Sequence, residues 1–290
     1  MAEIFGTVAS ALSIAALFNN CVDCFEYIQL GRHFGRDYER CQLKLDTAKI
    51  RMSRWGQAVG INEDPRFTID TPADKESQHI RAILEEIDQL YRTVQKSSAR
   101  YEIDATQKDL MHFEAKELQP VARRLHSRLG VIATRRQKQT SLLKKATWAL
   151  YDGKNLDKLV EQIGGFVDDL EKLLPVEDTR RRLVEMEIEE VDDEQSLTAL
   201  QTAAASTDQL LSEAVTKKLE GIAGTNYAKD IRGEENAQVR VGNEWSEIAS
   251  TRGVNIADQT SNRADFIAAK GTSAVQIGNS FGGRSVFDKS

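Results

Sequence analysis

Apolar residues recur every three to four positions over about the first 222 residues, which is the spacing of helices that bury one face. The pattern predicts helices over residues 36–59, 74–98, 118–149, 155–174, 177–191 and 193–222. Pro65 and Pro72 lie between the first two helices, Asn155 is the expected N-terminal cap of the fourth, and Pro175 ends it. Residues 1–222 are therefore predicted to form an all-α globular domain, a helical bundle.

The pattern changes in the last third of the chain, where apolar and polar residues alternate. The alternation is strict in Ala237–Val241 and again in Ser273–Ile277, as in strands with one buried face. Glycine and asparagine follow each strand and turn the chain. Residues 218–290 are therefore predicted to form strands, and they contain no proline that would interrupt a ladder of hydrogen bonds.

The two strands belong to a repeat, because residues 226–246 return 36 positions later as residues 262–282. The aligned pairs are identical at Asn226/Asn262, Ala228/Ala264, Ile231/Ile267, Val239/Val275, Gly242/Gly278 and Asn243/Asn279, and conservative at Ala237/Ser273 and Val241/Ile277. Stacking one copy on the other would superpose asparagine on asparagine and apolar residue on apolar residue. The apolar members of these pairs are the expected core of a stacked structure.

Charged positions carry opposite signs in the two copies. Lys229 aligns with Asp265, and Glu234 aligns with Lys270. Stacked copies would bring these charges together, which predicts an ion pair between rungs at each position. Two rungs cannot cap each other, since repeat architectures need about three or more units. We therefore expect residues 218–290 to be disordered in the monomer and to form a two-rung β-solenoid amyloid, about 4.7 Å per rung, when copies stack.

An uncharged stretch runs from Ile4 to Val22 near the N-terminus. As a helix it would be about 28 Å long, against a bilayer hydrocarbon core of about 30 Å. Alanine, serine and asparagine dilute its apolar residues, so it also suits a buried helix of a bundle. We expect it to be buried at rest and to insert into a membrane later. The residues expected to carry insertion are Ile4, Phe5, Leu12, Ile14, Leu17 and Phe18.

Composition and motifs argue against several functions. A net charge of -6 gives no basic footprint for nucleic acid. Cys21, Cys24 and Cys41 are typical of a reducing compartment, and the single CxxC lacks the second pair or histidines of a zinc site. Phosphate loops, dinucleotide fingerprints and hydrolase motifs are absent from the sequence. We therefore expect no enzyme, cofactor, metal or nucleic-acid partner. The basic residues of 118–149 favour a solvated face over a site for anionic lipid.

The repeat, its asparagines and its sign-swapped charges resemble the fungal HET-S/HET-s family, prion proteins that govern heterokaryon incompatibility and programmed cell death. The resemblance covers the whole chain and implies a HeLo domain followed by a prion-forming β-solenoid. It implies asparagine ladders and ion pairs between rungs at the residue pairs given above. A third family ion pair would fall on Asn236 and Thr272, which carry no charge here, and the terminal aromatic pair is replaced by Val286 and Phe287.

The resemblance also links Asp23, His33 and Glu86 to toxicity. The toxic form of the family has histidine at the position of His33, where its non-toxic allelic partner has proline, so this chain resembles the toxic type. In the toxic form the N-terminal segment, here residues 4–30, leaves the globular domain and enters the membrane.

The expected function is therefore a pore-forming executor of cell death. Solenoid growth is expected to unravel the last helix, because residues 218–226 belong to both predicted domains, and to release the N-terminal segment. The implied partners are the protein itself, homologous prion-forming segments, a nucleotide-binding receptor with a matching N-terminal repeat, and the lipid membrane. The resting protein would be cytoplasmic and the active one at the plasma membrane. The alternative is a non-toxic prion or scaffold whose amyloid only recruits partners.

Overall fold

The computed structural model describes residues 12–69, 74–104, 110–137, 147–223, 225–245, 261–278, 280–281 and 287. The chain divides into two compact units between Thr216 and Lys217. The first unit is mostly helical, as predicted, and the described part of the second contains the end of a helix followed by short strands.

The helices are α1 (Ile14–Cys24), α2 (Tyr38–Ala58), α3 (Pro65–Thr68), α4 (Lys75–Asp104), α5 (Pro120–Arg136), α6 (Gly153–Leu173), α7 (Glu177–Glu189), α8 (Glu194–Ala204) and α9 (Gln209–Ala223). The central helix is α2, which contacts α1, α5, α6, α7 and α8. Its residues Ile50, Met52 and Trp55 have no exposed surface. A helix surrounded in this way is buried on most sides, which is why α2 carries fewer exposed positions than the amphipathic pattern predicts.

The helix predicted over 118–149 is too long. It ends at Arg136, and Trp148–Leu150 forms a strand, β2, that pairs in parallel with β1 (Ile28–Leu30). The hydroxyl of Ser98 donates a hydrogen bond to the Ala149 carbonyl. The pairing joins segments far apart in the chain, so no local pattern announces it.

The helix predicted over 193–222 is two helices. α8 ends at Ala204, and α9 begins at Gln209 after a break that contains Asp208. Asp208 accepts a hydrogen bond from the Leu211 amide at 3.2 Å, which caps α9. The cap of α6 also differs from the prediction, because the Asp152 side chain, rather than Asn155, accepts from the first-turn amide of Lys154 at 2.9 Å.

The strands of the second unit are β3 (Thr225–Arg232), β4 (Gln238–Arg240), β5 (Glu244–Trp245), β6 (Ser261–Ala268), β7 (Ala274–Gln276) and β8 (Ser280–Phe281). β3 pairs with β6, β4 with β7 and β5 with β8, all in parallel. Every pair joins residues 36 positions apart, such as Asn226 with Asn262. The pairing of two rungs that was predicted for stacked copies is therefore described within a single chain, and the expected disorder of residues 218–290 in the free monomer stays a prediction.

The turns between strands use backbone conformations that few residues adopt. Asn236 has φ 63° and Gly271 has φ 73°, in the left-handed region where asparagine and glycine are most tolerated. Thr272 Oγ1 donates to Asn236 Oδ1 at 2.9 Å, so this uncharged pair forms a hydrogen bond between the rungs.

The expected competition between the last helix and the first rung does not occur in this structure. α9 extends to Ala223, and β3 begins at Thr225. Both elements are complete in the same chain because they use consecutive residues. Unravelling of α9 therefore requires a cause other than shared residues.

Candidate functional site

The asparagines of the repeat meet at one corner of the solenoid. Asn226 Nδ2 donates to Asn262 Oδ1 at 2.9 Å, across the rungs, and to Asn243 Oδ1 at 3.1 Å, within its own rung. Asn279 lies outside the described residues. Each side-chain amide has donors and acceptors on both sides, so a further copy stacked in the same register can continue the ladder.

The apolar pairs of the solenoid superpose in the register. Ala228 lies opposite Ala264, Ile231 opposite Ile267 and Val239 opposite Val275. Ala237 and Val241 flank Val239 and are half-buried. Val239 is 6% exposed, whereas its partner Val275 is 42% exposed and Ile277 is 39% exposed. The second rung thus presents to solvent the apolar surface that the first rung buries.

The charged pairs are arranged differently from the prediction. Lys229 lies one register position beyond the Ala228–Ala264 pair, opposite Asp265. The Asp265 carboxylate, however, accepts a hydrogen bond from the Tyr227 hydroxyl and pairs with Arg263 at 3.1 Å. The hydrogen bond from Tyr227 lowers the pKa of Asp265. Within the described part of the solenoid, Lys229 forms no ion pair within 4 Å, because Asp265 already has two closer donors.

The second charged pair, Glu234 and Lys270, lies in the turns outside the paired strands. As far as the described residues extend, these two side chains form no ion pair within 4 Å either, because strand register does not hold them in place. Both ion pairs remain predictions for a stack of chains.

The N-terminal helix α1 is enclosed by the first unit. Ile14 and Leu17 have no exposed surface, and Phe18 is buried with its ring centroid 5.8 Å from that of Trp55. Phe18 also lies directly over Gly56, where an added Cβ would come within 2.2 Å of the Phe18 ring. The backbone carbonyl of Leu12 accepts from Arg81 Nη2 at 2.5 Å. The surface that encloses α1 is therefore complementary in shape to the side chains of this helix.

The predicted membrane segment 4–30 is only partly within the described residues, which leave out Ile4 and Phe5. Its described part changes from helix to a 3-10 turn at Phe25–Tyr27 and then to strand β1. No helix among the described ranges combines the length and apolar content that spanning a bilayer requires.

The three residues linked to toxicity lie on separate elements. Asp23 is buried on α1, and its Oδ1 accepts from Gln137 Nε2 at 3.0 Å. His33 is exposed on a 3-10 helix, with its ring perpendicular to that of Tyr101 and the two ring centroids 6.3 Å apart. Glu86 is exposed on α4. They differ in exposure, since Asp23 is buried and the other two are exposed.

A buried network of charges connects the last helices to α2. The sequence pattern did not predict it. Arg54 donates through Nε to Glu187 Oε1 at 2.8 Å and through Nη2 to Glu187 Oε2 and Asp208 Oδ2, each at 2.7 Å. Arg136 Nη2 pairs with Glu187 Oε1 at 2.6 Å. Burial lowers the pKa of Arg54, but Asp208 and Glu187 outweigh it and the net shift is upward. The sequence offered one signal of this network, namely Arg54 itself, a charged residue four positions after Ile50 inside an apolar stripe.

The same face of α2 carries a second set of charged contacts. Arg51 pairs with Asp168 and, at 2.9 Å, with Glu171 of α6. It also donates to the Thr207 carbonyl at 3.2 Å, next to Asp208. Arg180 of α7 pairs with Glu171 at 2.7 Å. Arg51 and Arg54 therefore hold the start of α9 through the break between α8 and α9.

The basic helix α5 does not simply present a solvated face. Arg128 pairs with Asp192 at 3.2 Å, and Arg135 pairs with Glu190 at 2.8 Å. Arg136 is nearly buried against Glu187. These arginines pair with acidic residues at the end of α7 and just beyond it.

His126 of α5 and Asp46 of α2 form a pair with a predicted pH dependence. His126 Nδ1 lies 2.8 Å from Asp46 Oδ2, and this hydrogen bond raises the pKa of His126 above 6.5. A raised folded-state pKa adds stability that is complete below the unfolded value and is lost as pH rises through the folded value. We expect His126→Ala to lower the free energy of unfolding by about 1 kcal/mol at pH of about 5.5, and by less at about 8.

Urea unfolding of both proteins at the two pH values measures this difference. His79→Ala, at an exposed position of α4, is the matched control and should change neither value. An equal loss at both pH values for His126→Ala would mean that His126 contributes packing and not charge.

The chemistry of the described residues is limited. Cys21, Cys24 and Cys41 are buried free thiols, and burial raises the pKa of Cys41. Across the ranges that the structure describes, no group of three or more histidine, cysteine, aspartate or glutamate side chains is placed to hold a metal ion.

Comparisons with known proteins match both units. The HeLo family, described as prion inhibition and propagation, matches residues 6–200. The Het-s 218-289 family matches residues 218–282. The heterokaryon incompatibility protein s of Podospora anserina is 55% identical over 288 residues, which are 99% of this chain and 100% of that protein. The chain belongs to the HET-S/HET-s family.

Further HET-S/HET-s proteins support the assignment. The heterokaryon incompatibility protein S of Podospora anserina is 54% identical over 288 residues, 99% of this chain and 100% of that protein. The solved HET-S N-terminal domain has a TM-score of 0.72 at 58% identity and covers 73% of this chain and 96% of its own. A mutant HET-s N-terminal domain has a TM-score of 0.70 at 58% identity and covers 72% and 99%. The family resemblance predicted from the repeat is confirmed.

Proposed function

We propose that this protein is an amyloid-templated executor of cell death in heterokaryon incompatibility, of the toxic HET-S type. Growth of its solenoid on a template would disturb the helical unit and release α1 and the preceding residues into a membrane. The membrane would then leak. The observation that carries the proposal is the in-register pairing of the two rungs. Because the rungs repeat the same residue pattern, the open side of the second rung offers a further rung the surface on which the second rung itself is stacked.

The exposed second rung supports templated growth. Val275 and Ile277 expose the surface that Val239 buries under the next rung. A strand with an open edge and an exposed apolar face is a template for another strand of the same pattern. Each added copy would bury this surface and present an identical one, so growth continues from the end of the stack.

Crowding supports a coupling between growth and the helical unit. Each chain adds two rungs, or about 9.5 Å, to a stack. A compact unit of about 216 residues has a radius of gyration of about 17 Å. Helical units tied to a stack by α9 therefore cannot all remain compact at that spacing. Crowding of the helical units would therefore unravel α9, even though α9 and β3 share no residues.

The buried network gives that disturbance a path into the helical unit. Asp208 caps α9 and pairs with Arg54 on α2. Pulling α9 away would leave Arg54 with one carboxylate fewer in a buried site, which costs about 3–5 kcal/mol. Domains are stable by only about 5–15 kcal/mol, so loss of this contact would loosen the helices around α1.

The proposed partners are those of a templated membrane-active protein. They are further copies of the chain, homologous prion-forming segments, a nucleotide-binding receptor with a matching N-terminal repeat, and lipid. The protein would be cytoplasmic at rest and at the plasma membrane when active. The toxic type is proposed because the resemblance gives the toxic form of the family a histidine at the position of His33. No catalytic step is required.

The rival function is a scaffold whose amyloid recruits partners while α1 stays in the bundle. Dye release from liposomes separates the two. Full-length monomer is added to dye-loaded liposomes with and without fibrils of residues 218–290. We expect release only with fibrils, and none from a chain that lacks residues 1–22.

Two controls accompany the assay. The same peptide in soluble form should cause no release, and sedimentation should show that the full-length chain has joined the fibrils. Fibril growth without dye release would overturn the executor function and leave the scaffold.

A further inference from the structure

Helix α1 has two different faces. One face consists of apolar residues at helical spacing, namely Ile14, Leu17, Phe18, Cys21 and Val22. The opposite face consists of Ala16, Asn19, Asn20 and Asp23, again three and four residues apart. An amphipathic helix at a protein surface turns its polar face to water. This one does not, since Asn19 is 2%, Asn20 5% and Asp23 8% exposed.

The helical unit provides a hydrogen-bond partner for one polar atom in the side chain of each of Asn19, Asn20 and Asp23. Asn19 Nδ2 donates to Asn62 Oδ1 at 2.7 Å, and Asn20 Nδ2 donates to Asp88 Oδ1 at 3.2 Å. Gln137 Nε2 donates to Asp23 Oδ1 at 3.0 Å. Buried amides and carboxylates are tolerated when they are hydrogen-bonded in this way. The partners come from three different parts of the unit, so all of them are lost when α1 leaves.

The released helix cannot turn this face to lipid without a large cost. An aspartate in a membrane helix costs up to about 2.5–3.5 kcal/mol, the value at the helix centre, and the two asparagine amides add to that. Such residues in membranes face a water-filled cavity or one another. The apolar face, in contrast, suits lipid. The two faces therefore determine how copies of α1 orient themselves around a shared aqueous space.

We infer that the Ala16–Asn19–Asn20–Asp23 face of α1 lines a water-filled, cation-selective path formed by several copies of the chain. The inference rests on the proposed function and specifies which ions would cross the membrane. One carboxylate per copy gives a ring of negative charge, which favours cations over anions. The amides of Asn19 and Asn20 add polar groups that replace part of an ion's hydration shell.

Reversal potentials test the selectivity. Full-length chain is activated by fibril seeds on a planar bilayer that separates two KCl concentrations. We expect a reversal potential close to that of K⁺. Asp23→Asn, which keeps the acceptor for Gln137, should move the reversal potential toward zero. Asp37→Asn removes an exposed carboxylate outside residues 4–30 and should leave the reversal potential unchanged.

Thiol accessibility tests the orientation and does not depend on Asp23. Ala16→Cys places a thiol on the polar face, and the native Cys21 lies on the apolar face. A charged, water-soluble thiol reagent added to the seeded, membrane-bound protein should label position 16 and reduce the current, and should leave Cys21 unlabelled. Site-resolved mass spectrometry measures both.

The outcomes separate the two proposals. If seeded wild-type chain carries no current although fibrils grow, the proposed function fails. If current flows without cation preference, or if Cys21 is labelled as fast as position 16, the inference fails and the proposed function stands. If Asp23→Asn carries no current, the labelling of Ala16→Cys decides.

Discussion

Replacing Arg54 with methionine is expected to lower the free energy of unfolding of the helical unit by about 3–5 kcal/mol. Methionine has a similar length and no charge. Asp208 and Glu187, both buried, would lose the guanidinium that binds them at 2.7–2.8 Å. A buried carboxylate that loses its cation keeps its desolvation penalty and loses the attraction that offset it. Removing one partner therefore destabilises the protein by more than the intact pair stabilises it.

Urea unfolding of the full-length monomer, followed by far-UV circular dichroism, measures this loss. Arg66→Met is the matched control, since Arg66 pairs with Asp64 at 2.8 Å on the surface. Exposed pairs contribute about 0–1 kcal/mol. A loss below about 1 kcal/mol for Arg54→Met would mean that water reaches the network and that the pair is not buried in solution.

The same variant has a functional consequence under the proposed function. A helical unit with about 3–5 kcal/mol less stability opens more often without any template. Arg54→Met should therefore release dye from liposomes in the absence of fibrils, whereas Arg66→Met should still require them. If dye release from Arg54→Met still required fibrils, the buried network would not control the release of α1.

Replacing Gly242 with alanine is expected to raise the critical concentration for fibril growth about tenfold to a hundredfold. An added Cβ would lie 2.8 Å from Asn262 Cγ and 2.8 Å from the Ile277 carbonyl oxygen. The carbonyl belongs to the backbone of the adjacent rung, so neither group can move without disturbing the ladder. Overpacking of this kind costs about 1–3 kcal/mol.

The repeat provides a comparison at Gly278, where an added Cβ has no neighbour within 4 Å in a single chain. In a stack, the next copy would place its Asn226 over Gly278 as Asn262 lies over Gly242. Gly278→Ala should therefore also impair growth. Gly165→Ala, on the exposed face of α6, is the control and should grow normally.

The monomer concentration that remains after seeded growth of the full-length chain measures all three variants. Normal growth of Gly278→Ala beside impaired growth of Gly242→Ala would show that successive chains do not stack in the register of the two rungs.

Local patterns in the sequence were sufficient for the second unit. The 36-residue repeat predicts which residues face each other, and the register of β3 with β6 follows it residue by residue. Backbone pairing depends on spacing along the chain, which a repeat makes visible. The side chains of Lys229 and Asp265 were not predictable in the same way, because Tyr227 and Arg263 compete for the carboxylate.

In the first unit the sequence determined that helices form and approximately where. It did not determine the break at Asp208 or the strand Trp148–Leu150, whereas the burial of α1 was predicted and is observed. Helical periodicity is a local signal, whereas β1 and β2 pair across more than a hundred residues. Sequence analysis did not single out Arg54 or Asp208, and only the folded chain brings them together at 2.7 Å.

The sequence by itself therefore determined the family, the two-unit organisation and the stacking register, since each is recorded in residue identity and spacing. Only the tertiary structure decided that the polar face of α1 is dry and that a buried arginine holds the start of α9. Both are contacts between distant segments, and their energies depend on the exclusion of water, which no local pattern specifies.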